Sequence, residues 1–162
     1  MKPDVILRSD NFVLRNYKSD DAEDLNELFK DSKVHFYLPG LDGTNQLLIL
    51  SKVNQNILFV IENIFTKKVV GFILAYIDIN NFYSSIVSAM NSENRGKGIQ
   101  KKMLTLFINY LYENNLAKII TFRINAYNQK AINVMKALSI PFSEKDDNMC
   151  IFKLSLLKEL PF

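Results

Sequence analysis

A glycine-containing turn between an expected strand and an expected helix is the feature that most constrains this sequence. The turn is Arg95-Gly96-Lys97-Gly98. Residues 83–90 before it are apolar or small and predict a strand, and apolar side chains recur at helical spacing after it. Glycines allow backbone N–H groups to approach a ligand closely, and the start of a helix attracts anions. The stretch therefore predicts a phosphate site, although a plain loop can have the same residues.

Length and composition indicate a single domain over residues 1–162. The chain has 162 residues, 48% of them hydrophobic, which suffices for one core but not for two ordinary domains. The net charge is only +3 and the basic residues are scattered, which argues against nucleic acid as the main partner. No apolar run reaches the roughly 20 residues of a membrane span, and the N-terminus lacks the apolar core of a signal peptide. We therefore expect a soluble cytoplasmic protein with no membrane partner, in which Cys150 is a buried apolar residue.

The N-terminal third predicts one strand followed by two helices. Residues 11–17 alternate as a strand does, and a helix follows in which Asp20 and Glu23 form a capping box. Residues 35–40 predict a loop that ends at proline and glycine, and residues 45–54 predict the second helix.

The middle of the chain predicts three antiparallel strands in succession. Residues 57–62 and 68–78 are β-rich runs joined by a polar turn, and residues 83–90 continue the meander. Gly71 within the second run indicates a bulge or a close approach of two backbones.

The C-terminal part predicts a parallel crossover and a last hairpin. The helix 98–113 would carry the chain back to a mostly buried strand, 118–124, parallel to the strand 83–90. Asn128 is placed to cap the next helix by accepting from the N–H of Ala131, and Pro141 would end that helix. Strands are then expected from residues 142–146 and 149–157.

Three separated segments resemble the GNAT superfamily of acetyl-CoA-dependent N-acetyltransferases. The family signature R/Q-x-x-G-x-G/A corresponds to the segment 95–100. The segment 11–29, with H-F-Y-L-P at 35–39, is similar to the branch that includes the ribosomal-protein alanine N-acetyltransferases. Asn128 and Ala131 resemble the asparagine-led helix that closes the cofactor site. The resemblance implies a mixed α/β fold: a mostly antiparallel sheet of about six to seven strands, splayed at the cofactor site and flanked by about four helices.

The resemblance implies acetyl-CoA as the acetyl donor and no metal. Backbone N–H groups of the turn would hold the pyrophosphate, and the pantetheine arm would run along the strand ending at Met90, where that strand splays from its neighbour. An N–H near Ala89 or Met90 would polarise the thioester carbonyl. The cofactor-binding residues expected on this basis are Ala89, Met90, Arg95, Gly96, Lys97, Gly98, Ile99, Gln100, Lys101 and Asn128.

Two departures from the family pattern bear on the chemistry. Gln100 occupies the last position of the signature, where glycine or alanine is usual, so we expect weaker cofactor binding. Met135 occupies the position at which many members carry a tyrosine that protonates the leaving thiolate, and a thioether has no proton to donate.

Acid and base candidates are therefore drawn from other positions. We consider His35, Tyr83 and Ser85 as catalytic residues, and Tyr37 and Tyr127 as lining the substrate pocket. Each has an alternative role in packing, and water could serve as the base instead.

The leading functional prediction is an acetyltransferase that transfers an acetyl group to a primary amine by direct attack in a ternary complex. The amine would belong to a protein N-terminus or a small molecule; an acidic pocket would favour a polycation and a narrow apolar slot a peptide. The first alternative is a catalytically impaired acyl-CoA-binding or partner-binding module of the same fold. A nucleotide-binding protein is a weaker one, since the Walker Ser/Thr is missing after the lysine. A homodimer is compatible with this type of fold.

Overall fold

Eight strands form one mostly antiparallel sheet in the computed structural model, which describes residues 4–38, 40–53 and 55–156. Their order across the sheet is β1-β2-β3-β4-β5-β6-β8-β7, and β5 and β6 are the one parallel pair among the described strands. The strands are β1 (Ile6–Ser9), β2 (Phe12–Asn16), β3 (Ile57–Asn63), β4 (Val69–Asp78), β5 (Tyr83–Met90), β6 (Ile119–Asn125), β7 (Phe142–Asp146) and β8 (Met149–Ser155).

Five α-helices cover the two faces of this sheet within the described part of the chain. The helices are α1 (Ala22–Phe29), α2 (Ser32–Tyr37), α3 (Thr44–Ser51), α4 (Ile99–Glu113) and α5 (Gln129–Ala137). The mixed α/β fold is as expected, with one strand more than the upper expected number and one helix more than expected. None of the helices is long and apolar enough to cross a membrane in the residues described.

Two apolar layers hold the helices on the sheet. On one face, Phe107 of α4 packs edge-on against Phe59 of β3, with ring centroids 5.4 Å apart. On the other face, Phe29 of α1 stacks on Phe72 of β4 at 5.7 Å. Burying a side chain of this size contributes roughly 1.5–3 kcal/mol. Because β3 and β4 are covered on both faces, their sequences are nearly continuous apolar runs.

The expected hairpin and parallel crossover are confirmed. β3 and β4 pair antiparallel, and β5, α4 and β6 form the crossover that the sequence predicts. The side-chain oxygen of Asn128 accepts from the N–H of Ala131 at 3.2 Å, so the expected cap of α5 is also present. The ends of two expected elements, Asn54 and residue 157, lie outside the described residues.

Three local expectations are wrong, and one strand was not predicted. The segment predicted as a loop from His35 is helical as far as Tyr37, because Asp31 caps α2 through the N–H of Lys33 and the side chain of Val34 is buried. The capping box of Asp20 and Glu23 is replaced by Asp21, whose carboxylate accepts from the backbone N–H of Lys18 at 2.7 Å.

An end strand was not predicted, and the third wrong expectation concerns the cysteine. β1 pairs with β2, but its four residues are half exposed and carry too little alternation to be recognised in the sequence. Cys150 is half-buried instead of buried, because it lies in β8 between the core and the edge strand β7.

Candidate functional site

A gap opens between β5 and β6 halfway along their length. The two strands pair from Tyr83 and Ile119 up to Ile86 and Phe122, where the pairing between them ends in the described structure. Beyond that point β5 remains bonded to β4, while β6 remains bonded to β8. Each strand therefore stays extended on its own side of the gap. The β5 edge from Val87 onward is not paired with β6, which leaves it available to a ligand.

A cleft of about 500 Å³ occupies this gap. Its walls are the free edge of β5, the end of β6, the glycine turn with the first turn of α4, the helix α5 and one side of α2. This volume is within the range of roughly 300–1,000 Å³ that is usual for small-molecule sites. The cleft is therefore large enough for an extended ligand lying between the two strands.

The glycine turn forms one end of the cleft. Gly96 and Gly98 have φ angles of 77° and 78°, in the left-handed region that residues with a Cβ rarely adopt. Gly98 is the N-cap of α4 and has no capping side chain, so the first backbone N–H groups of α4 receive no capping bond from it. The end of this helix therefore has the properties of an anion site.

Arg95 makes an intramolecular ion pair beside the turn. Its Nε donates to the carbonyl of Met90 at 3.0 Å, and its guanidinium pairs with Asp31 at 2.8 Å. The pKa of Asp31 is lowered, first by the backbone N–H of Lys33 and also by Arg95, against the opposing effect of burial. The Asp31 carboxylate is therefore charged at neutral pH. Arg95 connects the end of β5 to the start of α2.

Lys130 is a cation that sequence reasoning missed. Its Nζ lies 3.9 Å from the position that a Cβ on Gly96 would occupy, and its side chain lines the cleft. The sequence feature that could have indicated Lys130 is its position in the first turn of the predicted helix, which Asn128 caps. The lysine thus reaches from α5 to the glycine turn on the other side of the gap.

Most of the expected cofactor-binding residues line this cleft. Those that line it are Ala89, Met90, Arg95, Gly96, Gly98, Gln100, Lys101 and Asn128. Lys97 and Ile99 do not, and Ile99 is buried in the core at 8% exposure. The Gln100 side chain donates from Nε2 to Oγ of Ser88 at 2.7 Å, which joins the start of α4 to the free part of β5.

The three expected catalytic residues lie outside the cleft. Tyr83 is at the paired end of β5, where its hydroxyl shares a 2.8 Å hydrogen bond with Thr121. Ser85 is also in the paired part of β5, and His35 packs near the ring of Phe29. The geometry therefore does not support an acid or base role for them, and that role stays a prediction.

The two expected pocket tyrosines meet at the mouth of the cleft. The hydroxyl of Tyr37 in α2 donates to the carbonyl of Tyr127 at 3.4 Å, and Phe36 lies against both rings. Among the described lining residues there is no carboxylate and no histidine, and Met135 is buried in the wall. Tyr37 and Tyr127 are the described lining residues that carry a phenolic hydroxyl.

Comparison with solved structures identifies similar folds. The chain superposes on the ribosomal-protein-S5-alanine acetyltransferase of Vibrio fischeri with a TM-score of 0.80 and 18% identity, covering 98% of this chain and 100% of that one. A GNAT-family acetyltransferase of Bacillus anthracis gives a TM-score of 0.80 and 15% identity, with coverages of 95% and 100%. The spermidine N-acetyltransferase of Vibrio cholerae, in complex with CoA and spermine, gives a TM-score of 0.74 and 16% identity. The match covers 89% of this chain and 94% of that one.

Sequence comparison supplies the family. A search of curated proteins finds no match. A family model described as an acetyltransferase (GNAT) domain matches residues 11–139, which is well over half of the chain and includes the glycine turn, the gap between β5 and β6 and the cap of α5. The fold and this match agree, and the chain belongs to the GNAT acetyltransferase family.

Proposed function

We propose that this protein is an N-acetyltransferase that uses acetyl-CoA as acyl donor and a primary amine as acceptor. The observation that carries the proposal is the end of the β5–β6 pairing at Ile86 and Phe122, directly beside a glycine turn that opens a helix. A ligand with phosphates at one end and a chain of amides at the other matches these two features.

The chain's own groups would divide the binding between them. The N–H groups at the start of α4 would hold the pyrophosphate, with Lys101 and Lys130 adding charge. The free edge of β5 would pair with the pantetheine amides, and an N–H near Ala89 or Met90 would face the thioester oxygen. Acetyl-CoA, when bound, supplies an acyl group activated as a thioester.

The transfer needs one bond to form and one to break. The amine nitrogen, with its lone pair free, forms a C–N bond to the carbonyl carbon, and the C–S bond breaks with its electron pair going to sulfur. The nitrogen then loses a proton to water, and the thiolate gains one. Tyr37 and Tyr127 carry the phenolic hydroxyls of the lining that could donate this proton, while Met135 cannot.

The charge of the cleft favours one class of acceptor over another. The described lining carries five cations and no carboxylate. Arg95 and Arg123 are paired with Asp31 and Asp146, and the other three, Lys33, Lys101 and Lys130, are in none of the described ion pairs. A polyamine brings several positive charges and would be repelled by this lining. A protein N-terminus brings one amine and can lie against the aromatic rings at the mouth, so we propose a peptide N-terminus as acceptor.

The first test is binding, followed by turnover. Thermal unfolding is measured with acetyl-CoA, with ATP and with NAD as controls. Acetyl-CoA at about 100 times its Kd adds roughly 2.7 kcal/mol to the folded state, so the midpoint should rise by several degrees with this ligand alone. Free thiol is then assayed with peptides that begin with alanine or serine and with spermidine. We expect release with the peptides and none above background with spermidine.

The same two measurements distinguish the enzyme from a second candidate function. A catalytically impaired acyl-CoA-binding module is favoured by the absence of a carboxylate and a histidine from the described lining and by Met135 in the wall. That protein would bind acetyl-CoA but release no thiol with any amine in a broad panel. Absence of a thermal shift at millimolar acetyl-CoA would contradict both candidates.

A further inference from the structure

We propose that Gln100 is a latch across the path of the pantetheine arm, closed on Ser88 in the free protein and displaced when the cofactor enters. The inference rests on the proposed function, because it assumes that an acyl-CoA binds in the cleft. It goes further in assigning to one side chain the control of access along β5.

The hydrogen bond between Gln100 and Ser88 joins the start of α4, which would hold the pyrophosphate, to the free edge of β5, which would hold the pantetheine arm. Ser88 lies in the free part of β5, between the last residue paired with β6, Ile86, and the strand end at Met90. Gln100 lies in the first turn of α4, two residues after the cap Gly98. Their 2.7 Å hydrogen bond therefore runs from the glycine turn to the middle of the free edge. A chain laid along that edge from the turn toward Ile86 has to pass Ser88.

The chemistry of the pair suits a contact that opens. An amide and a hydroxyl are both neutral, and neither side chain is fully buried. When their hydrogen bond breaks, both groups can bond to water or to ligand amides, and no charged group is left without a partner. A hydrogen bond of this kind corresponds to an effect of about two- to tenfold on a binding constant.

The latch and a simple ligand role for Gln100 predict opposite results. If Gln100 held the cofactor, its removal would weaken binding. If it closes the path, Gln100→Ala should strengthen the binding of ligands that carry the pantetheine arm. Ser88→Ala should act in the same direction, because it releases Gln100 without altering α4. The two changes remove one interaction, so the double variant should gain no more than Gln100→Ala does.

The experiment is calorimetric titration with two ligands. Coenzyme A has the arm, whereas adenosine 3′,5′-bisphosphate has phosphates on the same nucleoside and lacks the arm. We expect Gln100→Ala and Ser88→Ala each to lower the Kd for coenzyme A by about two- to tenfold and to leave the Kd for the bisphosphate unchanged. Gln55→Ala is the control, since Gln55 is an exposed glutamine outside the cleft lining.

Three results would overturn the latch: weaker coenzyme A binding in either variant, no change in it, or an equal gain for both ligands. Circular dichroism of each variant checks that it is folded, and Ser88→Ala keeps the test decisive if Gln100→Ala does not fold. Failure of the part of the proposed function on which the latch rests, the binding of an acyl-CoA in the cleft, looks different, because the unaltered protein would then bind no coenzyme A at all.

Discussion

The charge beside the glycine turn comes from two different parts of the chain. Arg95, which belongs to the turn, pairs with Asp31, whereas Lys130 extends to the turn from the first turn of α5. Arg95, one of the residues expected to bind the cofactor, is therefore already paired with a carboxylate. Lys130 has no carboxylate partner among the described ion pairs and stands free to bind an anion.

Lys130→Ala should weaken coenzyme A binding about fivefold at low salt, because an exposed lysine contributes roughly 1 kcal/mol to an ionic contact. The loss should shrink as salt rises, since screening reduces the contribution of the charge. Titration of both proteins at two salt concentrations measures this. Lys136→Ala is the matched control, because Lys136 is exposed on the same helix and lies outside the cleft. Equal losses in the two variants would contradict a specific contact at Lys130.

At the scale of elements, the cleft depends on how closely β4 supports β5. A Cβ on Gly71 of β4 would lie 2.5 Å from the carbonyl oxygen of Ala89 and 2.8 Å from the sulfur of Met90. The pairing of β3 with β4 also shifts register between Ile61 and Glu62, next to Gly71. The bulge and the close approach expected from this glycine are therefore both present, and both position the end of β5 that borders the gap.

Gly71→Ala should destabilise the fold by about 1–3 kcal/mol, because the backbone at Ala89 must move to admit the methyl group. The shift displaces the free edge of β5, so coenzyme A binding should also weaken. Urea unfolding and titration measure the two effects. Gly40→Ala is the control, since a Cβ there meets nothing within 4 Å. An unchanged midpoint in Gly71→Ala would show that the strands are not in close contact.

At the scale of the whole molecule, an ion network joins β2 to its neighbour β3 and to the residues before α1. Arg15 of β2 pairs with Asp21, ahead of α1, at 2.8 Å and with Glu62 of β3 at 2.7 Å. Burial by itself would raise the pKa of Asp21, but the hydrogen bonds from Arg15 and the N–H of Lys18 outweigh it and lower that pKa. The network therefore favours the charged carboxylate in the folded state.

The lowered pKa of Asp21 makes part of the stability depend on pH. The stability that the charged Asp21 carboxylate contributes is fully present above the unfolded-state pKa of about 4. It is lost as the pH falls from there through the lower folded-state pKa of Asp21. Asp21→Asn should lower the free energy of unfolding by about 2 kcal/mol at pH 7. Below about pH 4 the free energy of unfolding of this variant should fall less steeply with pH than that of the unaltered protein. Urea unfolding of both proteins from pH 7 down to about pH 3 tests this. Parallel curves for the two proteins would contradict it.

Local patterns in the sequence determined most of the elements and the glycine turn before α4. The strand 83–90, the glycine turn, the helix after it and the Asn128 cap depend on neighbouring residues, whose spacing and conformational preferences can be recognised along the chain. β1 was missed because four half-exposed residues carry too little periodicity.

The tertiary structure alone decided which side chains share the cleft. The sequence does not indicate that Lys130 meets the turn, that Arg95 finds Asp31, or that Gln100 reaches Ser88, since each pair joins different elements. Nor does it place Tyr83 and Ser85 in the paired end of β5, away from the gap. Such contacts depend on the register and packing of elements that are far apart in the chain. The position of the cleft likewise depends on the residues at which the pairing of β5 with β6 ends.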